Sequence, residues 1–246
     1  MTRSKGEVSG KGPDFGAVYD LFFEAGEVTE IRAFGLKTRK SRAWEGWASP
    51  SATVYGYFNN ARAFAEAAAA LEEAQARGVY FVLNPVKPDL LARAANRLRV
   101  AGPKDVTTAD KDILRVRWLP VDLDPVRPAG ISSTRGELDA AFAVQRKIRG
   151  HMTKERGWPE PVLACSGNGA HLVFRFEPMA PQEAEPLVRA ALRYLASQFG
   201  DDEVHVDEKV YNPARIWKLY GTTARKGDHT PERPHRRSYV MKAEAA

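Results

Sequence analysis

The sequence predicts an α+β protein, an N-terminal α/β module (residues 18–105) packed on a C-terminal antiparallel sheet with helices on one side (residues 106–246). Three observations carry this. Short β-branched and aromatic runs alternate with amphipathic stretches along the chain. A polar connector, AGPKDVTTADKD (101–112), divides two such series. The second series has the order β-α-β-β-α-β, the ferredoxin-like, RRM-like pattern.

The elements follow in order. Residues 1–17 are rich in charge and glycine without the apolar core of a signal peptide, and read as a flexible tail. VTEIRAF (28–34) and TVYGYF (53–58) are strands, joined by a loop or long hairpin. NNARAFAEAAAALEEAQARG (59–78) is a helix, with Asn59 or Asn60 to cap its start and Gly78 to supply the left-handed residue after its end. VYFVLNP (79–85) is a buried strand ended by Asn84-Pro85, and Pro88 suits the first turn of a helix reaching about Arg99. In the second module LRVRWLPVDLD (114–124) is a strand. Thr134 and Glu137 have capping-box spacing and start a helix reaching about Glu155. PVLACSGNGAHLVFRF (161–176) folds back about Asn168-Gly169, a pair that favours a two-residue type I′ turn. Residues 181–199 are an amphipathic helix, and EVHVD (203–207) and RIWKLYGTT (215–223) are strands.

Composition narrows the functional classes. No run approaches the ~18 consecutive apolar residues of a membrane span, and a single cysteine, Cys165, excludes an internal disulfide and a cysteine-built zinc site. A reducing, cytoplasmic setting fits this usage. Of the net charge of +6, +5 lies between Tyr211 and Ala246. A basic segment of this kind commonly meets phosphate, and it equally describes a solvated tail.

Side chains two apart on a strand share a face. Leu119, Val121 and Leu123 therefore face the helices, while Trp118, Pro120, Asp122 and Asp124 face away. Pro120 sits awkwardly, since proline belongs at edges or bulges. A two-residue turn at Asn168-Gly169 sets Ser166 opposite His171, on one face with Ala164, Val173 and Arg175, and gives Cys165, Leu163, Leu172, Phe174 and Phe176 to the core. In EVHVD, Val204 and Val206 alternate with His205 and Asp207. One open face would thus gather Asp122, Asp124, Asp207, Ser166 and His171. Three adjacent carboxylates repel unless a cation neutralises them, and an all-oxygen set suits two Mg²⁺ or Mn²⁺ ions rather than zinc. Alternation through 216–220 separates Arg215 from Lys218, so Arg215 reaches the site only from the turn before the strand.

D-x-D at 122–124, S-G-x-G-x-H at 166–171 and a lone Asp207 after an apolar residue, in that order, resemble the archaeo-eukaryotic primase superfamily. The resemblance is to its primase-polymerase branch of phages, plasmids and bacterial mobile elements; NPARIWKLYGT and VYFVLNPV are similar to further segments of that branch, and it covers roughly residues 50–240. It implies the superfamily's catalytic core and template-dependent nucleotidyl transfer of dNTPs or NTPs on single-stranded DNA, from a primer or an initiating nucleotide. Asp122, Asp124 and Asp207 would hold the two metals. Ser166, Gly167 and His171 would meet the nucleotide's phosphates, with His171 counted in the catalytic set, and Arg215 and Lys218 would support the triphosphate. Arg225, Lys226, Arg236 and Arg237 would meet nucleic acid. No Walker A motif is present, so unwinding would fall to a separate helicase. Relatives with a zinc-binding stem have cysteines absent here, which bears on priming more than on polymerisation.

Two other classes compete. A non-catalytic RRM-like single-strand binder would present aromatics on its sheet, whereas Phe174 and Phe176 are assigned inward. A metal-dependent nicking initiator of the rolling-circle type would need H-x-H, which does not occur.

Overall fold

The computed structural model describes residues 13–36, 41–49 and 51–241. The proposed tail lies outside the described residues as far as residue 12. Its last residues are not tail: Asp14 accepts the Ala17 N–H at 3.0 Å and caps helix α1 (Phe15–Phe22), which buries Phe15, Val18, Tyr19 and Phe22.

In the N-terminal module β1 (Thr29–Phe34), β2 (Trp44–Glu45) and β3 (Thr53–Phe58) precede α2 (Ala61–Glu73). Asn60 caps α2 by accepting the Ala63 N–H at 2.9 Å. The helix stops before Gly78, however, and Gln75 takes the left-handed conformation at φ 54°. Gly78 instead opens β4 (Gly78–Val82), where a Cβ would lie 2.6 Å from the Tyr80 ring. The helix expected from Pro88 to about Arg99 is also shorter. A 3₁₀ helix spans Pro88–Arg93, Asn96 turns the chain at φ 50°, and β5 (Leu98–Val100) follows. Asn96 also bonds the Asn59 backbone and side chain, which fixes this turn against the start of α2. Local helical propensity yields here to pairing of β5 with β3.

The second module contains β6 (Val116–Pro125), α3 (Arg135–Gly150), β7 (Val162–Cys165), β8 (Ala170–Met179), α4 (Pro181–Phe199) and β9 (Val204–Val206). The Thr134–Glu137 capping box forms in both directions, at 3.2 and 2.8 Å, and a π-helical turn over His151–Glu155 extends α3. The sheet order β7-β8-β6-β9 is that of a split βαβ unit, as the element order predicts. β9 pairs only with Leu123–Pro125 of β6. Pro120 therefore has a strand neighbour on one side alone, which accommodates its missing N–H.

The chain then departs from expectation. β10 (Ile216–Lys218) leaves the second sheet and pairs with β4, giving a first sheet ordered β10-β4-β1-β3-β5-β2. β11 (Thr223–Ala224) pairs with β12 (Arg236–Arg237), and β13 (Tyr239–Val240) adds to the second sheet beside β7. The basic C-terminal segment, as far as it is described, is folded structure.

The hairpin between β7 and β8 also differs. Cys165 pairs with Ala170 and Ala164 with His171, so the loop is the four residues Ser166–Gly169, with Gly167 at φ 97°. The slip from the expected register is two residues, and an even slip leaves every side chain on its assigned face. That face is not open along its length. Trp118, Val173 and Ala164 are buried, and Phe22 of α1 meets Trp118 with ring centroids 5.3 Å apart. The first module covers this part of the face and leaves the Asp122 end as a cleft.

Candidate active site

Asp122, Asp124, Asp207, His171, Arg215 and Lys218 line one cleft of about 360 Å³. Each arrives by a different local device. Asp122 and Asp124 point from β6 as alternation requires, opposite the buried Val121 and Leu123. The Asp207 N–H donates to the Asp122 carbonyl at 2.9 Å, which extends the β6–β9 pairing by one step, and its Oδ1 accepts the Lys209 N–H at 2.8 Å. Lys218 comes from β10 of the other sheet. Arg215 precedes that strand, in a turn where its N–H bonds the Asn212 carbonyl at 3.0 Å, so strand alternation does not keep it out.

The hairpin supplies His171 and a wedged tip. The Ser166 hydroxyl accepts the Gly169 N–H at 2.9 Å and donates to the Gly169 carbonyl at 3.2 Å, so its proton serves the turn. A Cβ on Gly167 would lie 2.8 Å from both Ala224 Cβ and the Arg236 carbonyl; one on Gly169 would lie 2.3 Å from the Leu123 carbonyl. Both glycines thus let the loop pack tightly between β6 and the C-terminal strands. Between them Asn168 accepts the Ser133 N–H at 3.0 Å through Oδ1, which fixes its amide orientation and leaves Nδ2 a buried donor without a protein partner. Arg215 Nε is likewise buried and unpartnered.

A hydrogen-bond relay orients His171. Trp217 Nε1, which can only donate, lies 2.7 Å from the Tyr220 hydroxyl, so that oxygen accepts. The Tyr220 proton then goes to His171 Nδ1 at 2.9 Å, and Nε2–H faces Asp122 Oδ1 at 3.2 Å. The Trp217 ring lies over the imidazole with centroids 4.1 Å apart. Trp217 and Tyr220 lie in the NPARIWKLYGT segment but had no role assigned to them there; the pairing of β10 with β4 brings that segment beside His171.

The charges are unevenly balanced. Burial pushes the Asp122 carboxyl up, but His171, Lys226 and Arg127 outweigh it and hold the group below the usual range. The charge of Asp122, then burial, drives Asp124 the other way, against Lys226 and Arg127. Burial lowers Lys218 from 10.5 to about 7, opposed by Glu72 and reinforced by Arg225 and Lys226. Asp122 and Asp124 repel each other, and Asp207 stands in the same cleft wall. They do not form a preassembled cage: among the described residues no three His, Cys, Asp or Glu side chains converge closely enough to hold a metal.

The outer basic residues divide. Arg225 is bound to Glu72 at 2.7 Å and to the Ala76 carbonyl at 3.0 Å, and Arg236 donates to the Ser133 carbonyl at 2.7 Å. Lys226 also lines the cleft, and Arg237 faces solvent. Phe174 is buried and Phe176 packs against the core, so β8 does not offer these rings for base stacking. Among the described residues no helix is long and apolar enough to cross a membrane.

No family model matches the sequence, and no curated protein does. A solved structure titled "Crystal structure of primase RepB'" is similar over 93% of this chain, with 14% identity and a TM-score of 0.47. The match covers 55% of that protein, so this chain spans little more than half of its length.

Proposed function

We propose that the chain is a template-dependent nucleotidyltransferase of the primase-polymerase kind, acting with dNTPs or NTPs on single-stranded DNA. The observation that carries the reading is one cleft lined by acid from the second sheet and by cations at and just before the last strand of the first. Asp122, Asp124 and Asp207 stand in its wall with Arg215, Lys218 and Lys226. Such a division suits a substrate with a polyphosphate tail and a reacting centre that needs carboxylate-held cations.

In the reaction the 3′-oxygen of a primer or first nucleotide bonds to the α-phosphorus of the incoming nucleotide. The bond from that phosphorus to the bridging oxygen breaks, pyrophosphate leaves, and the hydroxyl proton passes to solvent. Two Mg²⁺ or Mn²⁺ ions held by Asp122, Asp124 and Asp207 would supply charge neutralisation at the attacking and leaving oxygens. The protein's own part is positioning. Arg215 and Lys218 attract the phosphates, the amide of Asn168 offers a fixed donor, and His171 holds Asp122 in orientation through the Trp217–Tyr220 relay.

The test is incorporation of labelled dNTP or NTP on single-stranded DNA, with and without a primer, in Mg²⁺ or Mn²⁺. Wild type should incorporate and Asp122→Ala should not. Full activity in Asp122→Ala or Asp207→Ala ends the reading.

A further inference from the structure

Lys218 is buried in the cleft wall without the partners a buried ammonium needs. An ammonium carries three donors, and the acceptor in reach is the Thr223 carbonyl, at 3.4 Å. Among the described residues no carboxylate pairs with it. Glu72, the acid whose charge acts on it, is engaged by Arg225 at 2.7 Å and by the Thr223 hydroxyl at 2.6 Å. Arg225 and Lys226 add like charge. Burial, like charge and missing acceptors all favour the neutral amine, and a neutral lysine amine is a nucleophile. Nucleotide transfer would use Lys218 as a cation and leaves that nucleophile idle. We propose that Lys218 forms an imine with an aldehyde carried on a phosphate ester, either the open-chain sugar of an abasic site in single-stranded DNA or a free sugar phosphate.

The cleft serves both ends of such a ligand. Arg215 and Lys226 stand in the same wall as Lys218 and attract the phosphate. The amine itself is held in place: Lys218 pairs with Tyr80 across β10 and β4, and Nζ lies 5.6 Å from the Tyr80 ring centroid. Its proton affinity agrees with this geometry. With the group lowered to about 7, roughly half the chains carry the free amine at pH 7, against roughly one in 3,000 for a lysine at 10.5. In the step the Nζ lone pair bonds to the aldehyde carbon. Both amine hydrogens leave with the aldehyde oxygen as water, and a C=N bond replaces C=O. Nothing is oxidised or reduced, and neither metal nor triphosphate takes part. The reaction goes beyond nucleotide transfer and shares only its cleft.

The experiment traps the imine by reduction. The full chain is incubated at pH 7 in EDTA and sodium cyanoborohydride with a single-stranded oligonucleotide bearing one abasic site. A second arm uses glyceraldehyde 3-phosphate in its place. Adducts are quantified by intact mass and located by peptide mass spectrometry. The adduct should fall on Lys218 and drop at least tenfold in both Lys218→Met and Lys218→Arg. An adduct at 218 in the first arm alone identifies abasic DNA as the ligand, in the second alone a free sugar phosphate, and in both the shared aldehyde chemistry. No adduct in either arm, label spread over exposed lysines, or a yield unchanged in both variants overturns the proposal. The site mapped in wild type decides the matter if a variant misfolds. Metal and nucleotide are both absent, so primer extension is scored separately. A chain that extends primers without forming the adduct loses this inference alone; one that forms the adduct without extending loses the nucleotidyltransferase reading alone.

Discussion

Lys218 offers a sharp test because its placement conflicts with stability. It is buried, with Nζ 3.4 Å from the Thr223 carbonyl and 5.6 Å from the Tyr80 ring centroid. In the folded chain it keeps its proton only to about pH 7, against 10.5 in the open chain, chiefly because burial penalises the charge. Each tenfold loss of proton affinity is ~1.4 kcal/mol, so at pH 7 the lysine weakens the fold by about 4 kcal/mol. The unfolded chain binds more protons than the folded one between pH 7 and 10.5, so wild-type stability gains from this group as pH rises through that window. Lys218→Met keeps the apolar stem and removes the titration. In urea denaturation without nucleotide the variant should be more stable than wild type at pH 7, by ~1–4 kcal/mol, the scale seen when buried charges give way to apolar residues. Its advantage should shrink by about 2 kcal/mol at pH 9. Wild type should also take up protons on binding a triphosphate at pH 8, and the variant should not. An equal stability gap at pH 7 and 9, or a variant less stable at pH 7, refutes the argument.

Other expectations follow from single contacts. Asp124→Asn should reduce nucleotide incorporation by ~10²-fold or more, the scale of losing one preorganised electrostatic group; near-wild-type turnover would exclude Asp124 from the reaction. Tyr220→Phe strands a buried Trp217 N–H and the His171 Nδ1, and should cost ~1–3 kcal/mol in denaturant unfolding. Unchanged stability would disprove the relay. Gly169→Ala drives a Cβ to 2.3 Å from the Leu123 carbonyl and should lower stability by ~1–3 kcal/mol, read as a fall in Tm. Glu72 is pushed up by burial, but its bonds to Arg225 and Thr223 prevail and hold it below its ordinary 4.5. Its stabilisation is present above pH 4.5 and lost as pH falls through the lower folded value. Glu72→Gln should therefore be less stable than wild type at pH 7, with the gap closing in acid; a constant gap would count against an ionic role.

The second module was legible in the sequence because its signals are local or have even parity. The T-x-x-E box starts α3 where its side chains cap it, and strand alternation put Asp122 and Asp124 on the side away from Val121 and Leu123. The hairpin shows how such a reading survives error. A two-residue turn was expected and a four-residue loop formed, yet His171 kept its face because the register moved by two. What could not be read were pairings set by distant partners. Nothing near Ile216–Lys218 says that this strand crosses to β4, so the arrival of Trp217 and Tyr220 beside His171 was invisible. Likewise the 88–99 stretch has good helix formers, and it is pairing with β3 and β2 that makes Leu98–Val100 extend.

That crossing strand also explains why the site is where it is. Acidic residues at one end of a sheet are most easily left solvated, and a solvated cluster has little hold on a charged substrate. β10 carries Lys218 out of the second module and pairs it against Tyr80 of the first, while the segment beyond returns through β11 and β12 to pack on Gly167 at the hairpin tip. The chain thus stitches both sheets around the carboxylates. The second module supplies every charged residue of the cleft wall, and the first supplies Phe34, Tyr80 and the β4 edge on which Lys218 is seated. Loosening the stitch at Gly167, where φ is 97° and a Cβ has no room, should therefore disturb nucleotide binding more than it disturbs either sheet. Gly167→Ala should raise the nucleotide KM while far-ultraviolet circular dichroism stays close to wild type. A variant with unaltered KM would mean that the C-terminal strands brace the fold without shaping the site.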